Sequence, residues 1–226
     1  MPPVRSAPPA ERMWWLLPFG VASAFHLATK LAGMLDADAA SKWLLMPALL
    51  VSLAIGVAVR ALRPRPLLAA LVAAGVLLSW VGDVTVENVP VGLSFFLVAH
   101  LAYIAAFWQE GRGRPSWWSL WVLPWFAGLL VVLAPTAGPL LPAIVAYGIV
   151  LAGMAISATR VNRLTAIGGV LFVISDSLLA IRLFTPELQG RPPDAAIMVT
   201  YLAAQLLITV GVLGLSRTPA RAAAPR

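Results

Sequence analysis

Three observations predict an all-α membrane protein, a single bundle of eight transmembrane helices. Of the 226 residues, 61% are hydrophobic and only 11% are charged, whereas a soluble domain typically carries about a quarter charged residues. The mean hydropathy is +0.90. The chain also divides into eight apolar runs, each close to the roughly 20 residues that a helix needs to cross a hydrocarbon core. The sequence therefore predicts an integral membrane protein.

The eight predicted helices follow one another with short connections. They are placed at residues 13–34, 43–60, 67–86, 92–109, 116–134, 138–159, 164–183 and 195–215. Turn residues or charges mark the breaks, in the stretches DADAAS, RALRPRP, ENVPVG, QEGRGRP, APTAGP, TRVNR and TPELQGRPPD. Such short loops leave no room for a separate soluble domain. Three regions are expected: a Pro-rich, disordered cytoplasmic arm at 1–12, the transmembrane domain at 13–215 and a cytoplasmic tail at 216–226.

The first span has a second interpretation. Arg5 and Arg12 precede an apolar run that reaches Ala22, Ser23 and Ala24, and this order is typical of a signal peptide and its cleavage site. The apolar segment continues past Ala24, which favours a span that is kept. Both interpretations stay open at the level of sequence.

Basic residues are divided unevenly between the two sides of the predicted bundle. Twelve lie on the side of the N-terminus: Arg5, Arg12, Arg60, Arg63, Arg65, Arg112, Arg114, Arg160, Arg163, Arg217, Arg221 and Arg226. Four lie in or near the other side: Lys30, Lys42, Arg182 and Arg191. Cytoplasmic loops carry an excess of Lys and Arg. Both termini are therefore predicted to be cytoplasmic, with the bacterial plasma (inner) membrane as the expected location.

Composition also excludes several kinds of site. The chain has no cysteine, which excludes disulfides, thiolate nucleophiles and Cys-ligated metal centres. Only two histidines are present, His26 and His100, fewer than the three of a His-rich zinc hydrolase. Neither a metal nor a cofactor is expected. The net charge of +7 comes without a long basic run or an aromatic-interleaved basic patch, so no nucleic acid is expected as a partner.

Two aspartates lie within predicted spans. Asp83 is toward the outer end of the third helix and Asp176 near the middle of the seventh, judged from the helical rise of about 1.5 Å per residue. Ionisable groups at such depth are costly and usually face a protein interior or a water-filled path. Other polar side chains fall in a similar band: His100, Tyr103, Tyr147, Tyr201 and Gln205. We expect one buried polar cavity in which the two aspartates face each other, although interhelical hydrogen bonding alone would also account for single tyrosines or the glutamine.

Four of the predicted helices carry stretches that resemble a known family, the YhhN-like lysoplasmalogenases. In VGDVTVENVPVGLSFFLVAHLAYIAAF, a Gly-Asp ends one helix, and His and Tyr lie a turn apart on the next. GGVLFVISDSLLAI is similar to a second block of the family, with its Ser-Asp, and TYLAAQLLI to its last helix, with Tyr and Gln. The family often opens its second helix with Lys-Pro, whereas here Trp43 follows Lys42 and the proline is Pro47.

The resemblance implies an eight-helix enzyme that hydrolyses the vinyl ether bond of lysoplasmalogens to a fatty aldehyde and a glycerophospho-alcohol. The expected partners are the lysophospholipid substrate and the lipid bilayer, and the oligomeric state stays open. Asp83 and Asp176 are the expected catalytic residues. The residues expected to bind or orient the substrate are His100, Tyr103, Tyr201, Gln205, Ser175, Tyr147 and Lys42.

The chemistry of a vinyl ether suits two carboxyls. In acid the bond breaks after its β-carbon is protonated, and water then captures the resulting oxocarbenium ion. This reaction needs one protonated carboxyl and one carboxylate, which is the division of labour in glycosidases. A transporter or a lipid-binding membrane protein with a buried Asp/His cavity is the alternative, because carriers use the same residue types at the same depth.

The predicted orientation is tested by reporter fusions. Fusions at Gly113 and at Arg226 are expected to report a cytoplasmic location, and a fusion at Asp38 the opposite side, because the basic loops remain inside. A periplasmic signal from the fusion at Arg226 would contradict the eight-span orientation.

Overall fold

The computed structural model describes residues 13–111, 113–185 and 191–214, with the backbone alone for 191–193. Within these ranges the chain is all-helical, as the sequence predicts. The α-helices are α1 (Leu17–Ala32), α2 (Leu35–Ala58), α3 (Pro66–Thr85), α4 (Val89–Glu110), α5 (Val122–Ala137), α6 (Leu141–Ala158), α7 (Arg163–Phe184) and α8 (Arg191–Gly214). The predicted arm at 1–12 and tail at 216–226 lie outside the described residues. Residues 112, 186–190 and 215 also lie outside them.

The second helix begins earlier than the sequence pattern predicts. The stretch DADAAS, interpreted above as a break, forms the first turns of α2, which starts at Leu35. Asp36 and Asp38 lie in that first turn, where negative side chains interact favourably with the helix dipole. Hydropathy does not identify this helix start, because charged residues in the first turn of a helix have the same low hydropathy as loop residues.

The fourth helix also begins earlier, at Val89 instead of residue 92. Asn88 caps it by accepting a hydrogen bond from the backbone N–H of Val91, and Pro90 occupies the first turn. Proline is tolerated there because the N–H that it lacks has no partner within the helix. The interhelical turn after α3 is therefore very short, and it holds the end of α3 against the start of α4.

The fifth and sixth helices are separated by a sharp bend rather than by a loop. Gly138 has φ +51°, a backbone conformation that glycine adopts readily, and Gly138–Leu140 forms a short 3₁₀ turn. After the bend, Gly148 of α6 comes so close to the ring of Phe126 of α5 that a Cβ would overlap it. The two helices therefore pack side by side, although their helical residues form one nearly unbroken run.

Six helical segments in the described ranges are long and apolar enough to cross a membrane. They are Leu35–Ala58, Pro66–Thr85, Val89–Glu110, Trp117–Ala158, Arg163–Phe184 and Asp194–Gly214, the fourth of which contains both α5 and α6. The outer faces are apolar: Val131 is 75% exposed and Leu31 is 68% exposed. The protein is therefore an integral membrane protein, and the count of eight crossings and the side of each terminus stay predictions.

The most extensive contact between two helices of the described ranges is between α7 and α8. Gly168 of α7 lies against the backbone of α8, where an added Cβ would be 3.0 Å from the Ile208 nitrogen and 3.1 Å from the Ala204 carbonyl oxygen. At the start of α7, the Asn162 side chain donates to the Gly211 carbonyl oxygen of α8 at 2.8 Å. Small residues at helix interfaces allow this approach in membranes. The contact fixes the position of Asp176 on α7 relative to Tyr201 on α8.

Gly168→Ala is expected to lower the thermal unfolding temperature of the protein in detergent. The new methyl group would meet α8 backbone, and overpacking of this kind costs about 1–3 kcal/mol. Gly128→Ala is the matched control, because nothing lies within 4 Å of a Cβ at Gly128. The control is expected to be neutral or to stabilise by up to about 1 kcal/mol. Equal unfolding temperatures for the two variants would contradict the close α7–α8 packing.

Candidate functional site

A polar cavity of about 310 Å³ lies between the helices. It collects side chains from α1, α2, α3, α4, α7 and α8, which are distant in the sequence. The ionisable and polar side chains in its wall are Lys30, Lys42, Asp83, Glu87, Ser175, Asp176, Arg182, Asp194 and Tyr201. Both aspartates singled out by the sequence therefore line one cavity.

Asp83 is held by two side chains from other helices. The Tyr201 hydroxyl on α8 donates to its Oδ2 at 2.7 Å, and the Lys42 Nζ on α2 lies 3.7 Å from its Oδ1. The Asp83 side chain is only 11% exposed, and that of Lys42 is 30% exposed. A buried carboxylate needs both a counter-charge and hydrogen-bond donors, and Asp83 has both. The departure from Lys-Pro in the sequence does not remove Lys42 from the cavity.

A hydrogen-bonded chain continues from Asp83 into the core. The Gln205 Nε2 donates to the Tyr201 hydroxyl at 3.3 Å, and the Tyr103 hydroxyl donates to Gln205 Oε1 at 2.6 Å. Tyr103 and Gln205 are fully buried. They do not line the cavity. Their contact with it runs through Tyr201, so they are placed to orient that residue.

Asp176 has a different environment. The Tyr147 hydroxyl of α6 donates to its Oδ2. The adjacent Ser175 is buried and donates to the Ile197 carbonyl oxygen at 3.0 Å, which ties α7 to α8 beside the cavity. Tyr147 thus positions the Asp176 carboxyl, and Ser175 makes a contact between helices.

His100 is buried completely and does not line the cavity. Its ring packs edge-on against Phe172, with centroids 4.6 Å apart, and lies 5.5 Å from the Tyr147 ring. Neither ring nitrogen has a hydrogen-bond partner within the described part of the chain. His100 therefore contacts the tyrosine that holds Asp176, rather than Asp176 itself.

Several groups of the cavity are not among the site residues predicted from the sequence. Lys30 reaches it from α1 and donates to Asp38 Oδ2 at 2.8 Å. The second histidine, His26, stays outside: it is buried with its Nδ1 2.9 Å from the Ser41 hydroxyl. Arg182 forms an ion pair with Asp194 across the cavity rim. The sequence could have indicated Arg182, because it is a charged residue on the same apolar helix as Asp176. Asp194 could not be found in this way, because it lies in the stretch TPELQGRPPD that was interpreted as a loop.

An apolar pocket of about 70 Å³ adjoins the polar cavity. Its wall comes from the α3–α4 turn and from α4, α6 and α7. The lining residues are Val86, Val89, Gly92, Leu93, Phe96, Ile144, Tyr147, Asp176, Leu179, Ala180, Leu183 and Phe184. Nothing in the sequence predicts this pocket, because most of its lining residues are ordinary apolar residues of several helices.

Among the described residues, no cluster of three or more His, Cys, Asp or Glu side chains has the arrangement of a metal site. The arrangement instead offers two carboxyls, a lysine and two tyrosine hydroxyls at or beside a cavity of about 310 Å³. Such a set can donate and accept protons, stabilise a nearby charge and orient a polar ligand.

Comparison with known proteins gives a consistent result. A family model described as the YhhN family matches residues 38–212. The lysoplasmalogenase TMEM86B of Rattus norvegicus is 36% identical over 126 residues, which cover 54% of this chain and 51% of that protein. The lysoplasmalogenase TMEM86B of Homo sapiens is 30% identical over 134 residues, covering 54% and 53%. This chain spans about half the length of the curated relatives it matches, and no solved structure matches it.

Proposed function

Because this chain belongs to the YhhN family, we propose that it is a membrane hydrolase that cleaves the vinyl ether bond of lysoplasmalogens. The products are a fatty aldehyde and a glycerophospho-alcohol. The observation that carries the proposal is that Asp83 and Asp176, from different helices, line one cavity. The similarity to proteins named lysoplasmalogenase supports the choice of substrate.

The proposed reaction is general acid–base catalysis by these two carboxyls. One carboxyl protonates the β-carbon of the vinyl ether, and the other stabilises the oxocarbenium ion and removes a proton from the attacking water. Two carboxyls that flank a scissile bond divide the acid and base roles in the same way in glycosidases, where the acid protonates the leaving-group oxygen. The tyrosines Tyr147 and Tyr201 hold one oxygen of each carboxyl, which supports fixed positions for both groups.

The surroundings of the cavity suit a lipid with a single chain. Polar and ionisable side chains reach its wall from several helices, while the apolar exterior of the helices contacts the bilayer from which the substrate would come. The substrate would bind from the membrane, and the proposed orientation has eight spans with both termini in the cytoplasm of a bacterium. Lys42, Tyr147, Ser175, Tyr201, Gln205, Tyr103 and His100 are proposed to bind or orient the substrate, directly or through a neighbour.

A carrier or a lipid-binding protein is the second candidate. The observation that favours it is the mixed charge of the cavity wall, where Lys42 lies 3.7 Å from Asp83 and Arg182 pairs with Asp194. Ion pairs within membrane-spanning helices also mark solute pathways in membrane transporters. Such a protein would bind a polar solute or a lipid and return it unchanged.

Purified protein in detergent is expected to release aldehyde from a lysoplasmenyl lipid. The matched substrate is the ester-linked lysolipid with the same head group and chain length, from which no fatty acid is expected, because an ester is not activated by protonation of carbon. Aldehyde is measured by chemical trapping and mass spectrometry, and fatty acid in the same extract. Inactivity on both lipids would favour the carrier or lipid-binding function.

Asp83→Asn and Asp176→Asn are each expected to lower turnover at least about a hundredfold, the usual scale for acid–base groups. An amide keeps the size of the side chain but cannot deliver or accept the required proton. The double variant should be little worse than the poorer single one, because groups that act as a unit are not additive. His100→Gln should reduce turnover less.

Asp36→Asn is the matched control for these variants. Asp36 is exposed in the first turn of α2 and does not line the cavity. All four single variants should unfold at temperatures close to that of the unaltered protein. Normal turnover in both Asp83→Asn and Asp176→Asn would disprove the two-carboxyl mechanism, even with the family assignment intact.

A further inference from the structure

The polar cavity and the apolar pocket meet at Asp176. Five residues line both spaces: Val86, Phe96, Asp176, Leu179 and Leu183. Asp176 is the one ionisable member of this shared wall. Asp83 lines the polar cavity and is not in the wall of the apolar pocket. The two carboxyls are therefore not equivalent in position.

The two spaces match the two parts of a lysoplasmalogen. The apolar pocket is the smaller of the two spaces, about 70 Å³ against about 310 Å³ for the polar cavity. A hydrocarbon chain gains free energy where apolar side chains surround it, and a charged head group requires a polar wall. The vinyl ether of the substrate lies between these two parts, so it would lie at the junction of the two spaces.

The two carboxyls also differ in the charge of the side chains that contact them. Asp83 has Lys42 3.7 Å away, and an opposite charge at this distance favours a carboxylate over a neutral acid. The hydrogen bond to Asp176 comes from the neutral hydroxyl of Tyr147, and it reaches Oδ2. Position and charge therefore point to different roles.

We propose, resting on the vinyl ether hydrolysis above, that the apolar pocket binds the first part of the alkenyl chain, and that Asp176 is the general acid and Asp83 the general base. The β-carbon is the chain-side carbon of the double bond. With the chain in the pocket, this carbon lies at Asp176. The α-carbon, bonded to the ether oxygen, then lies on the side of the polar cavity and of Asp83.

The steps balance with these roles. The Asp176 carboxyl gives its proton to the β-carbon, and the double-bond electrons form that C–H bond, leaving an oxocarbenium ion. Water adds to the α-carbon while the Asp83 carboxylate takes one of its protons, which gives a hemiacetal. Asp83 then protonates the glycerol oxygen as the C–O bond breaks, and the hemiacetal hydroxyl returns a proton to Asp176. The products are aldehyde and alcohol, with both carboxyls restored.

Hydrogen exchange in D₂O distinguishes the two carboxyls. In Asp83→Asn, water capture is slow, so the oxocarbenium ion returns its proton to Asp176, and recovered vinyl ether should carry deuterium at the β-carbon. In Asp176→Asn no acid forms the cation, so recovered substrate should carry no label. Mass spectrometry of recovered lipid measures this. Label in the Asp176→Asn reaction, or none in the Asp83→Asn reaction, would overturn the assignment of roles.

Ala180 gives a test of the pocket that does not depend on the aspartate variants. It lies one helical turn after Asp176 and lines the apolar pocket, so Ala180→Leu would fill part of that space. The expected result is a fall of about tenfold or more in kcat/KM for the long-chain lipid, the scale of a misfit hydrophobic pocket. For the analogue in which a bare vinyl group replaces the alkenyl chain, kcat/KM of Ala180→Leu should equal that of the unaltered protein, because this analogue has no chain to place in the pocket.

Ala127→Leu is the matched control, since Ala127 is exposed on α5 and lines neither space. An equal loss for both substrates in Ala180→Leu, or none for the long-chain lipid, would overturn the chain-binding role of the pocket. Failure of the unaltered protein to release any aldehyde would instead reject the proposed function. The two failures are therefore distinguishable.

Discussion

The polar cavity depends on how a carboxylate is held at membrane depth. A charged side chain within a span costs about 2.5–3.5 kcal/mol on insertion scales, and in this protein the charge of Asp83 is compensated by Lys42 and Tyr201. These partners come from α2 and α8, whereas Asp83 is on α3. The ion pair and the hydrogen bond therefore join three helices that are far apart in sequence, and the polar cavity exists where they meet.

Close helix packing makes that meeting precise. The ring of Tyr103 on α4 packs directly against Gly75 on α3: a Cβ added at Gly75 would be 2.4 Å from Tyr103 Cε1. The absence of a side chain at Gly75 therefore lets α3 and α4 pack closely, two turns before Asp83. Gly168 does the same between α7 and α8, below Asp176. In a bilayer there is little hydrophobic force between helices, and such close packing together with interhelical hydrogen bonds stabilises their association. The glycines thus determine where the functional side chains lie.

Much of this architecture is predictable from the sequence, because apolar runs of spanning length leave few alternatives to helices. The same holds for Asp83 and Asp176, whose charge in such runs requires an explanation. The predicted start of α2, at residue 43, is wrong, because the charged first turn with Asp36 and Asp38 has the low hydropathy of a loop. The apolar pocket and the pairing of Arg182 with Asp194 were missed for another reason: they depend on which helix faces lie opposite each other, and periodicity does not encode that.

The hydrogen-bonded chain behind Asp83 has a consequence for proton movement. Each donor in it is directed toward the carboxylate: Tyr103 to Gln205, Gln205 to Tyr201 and Tyr201 to Asp83. The aligned dipoles polarise one another, so negative charge on Asp83 is stabilised from the core as well as from Lys42. The amide of Gln205 interrupts any hopping of protons, however, because its nitrogen donates and cannot accept. In electrical terms, the chain is polarised but does not conduct, so protons do not pass through it between Asp83 and the core.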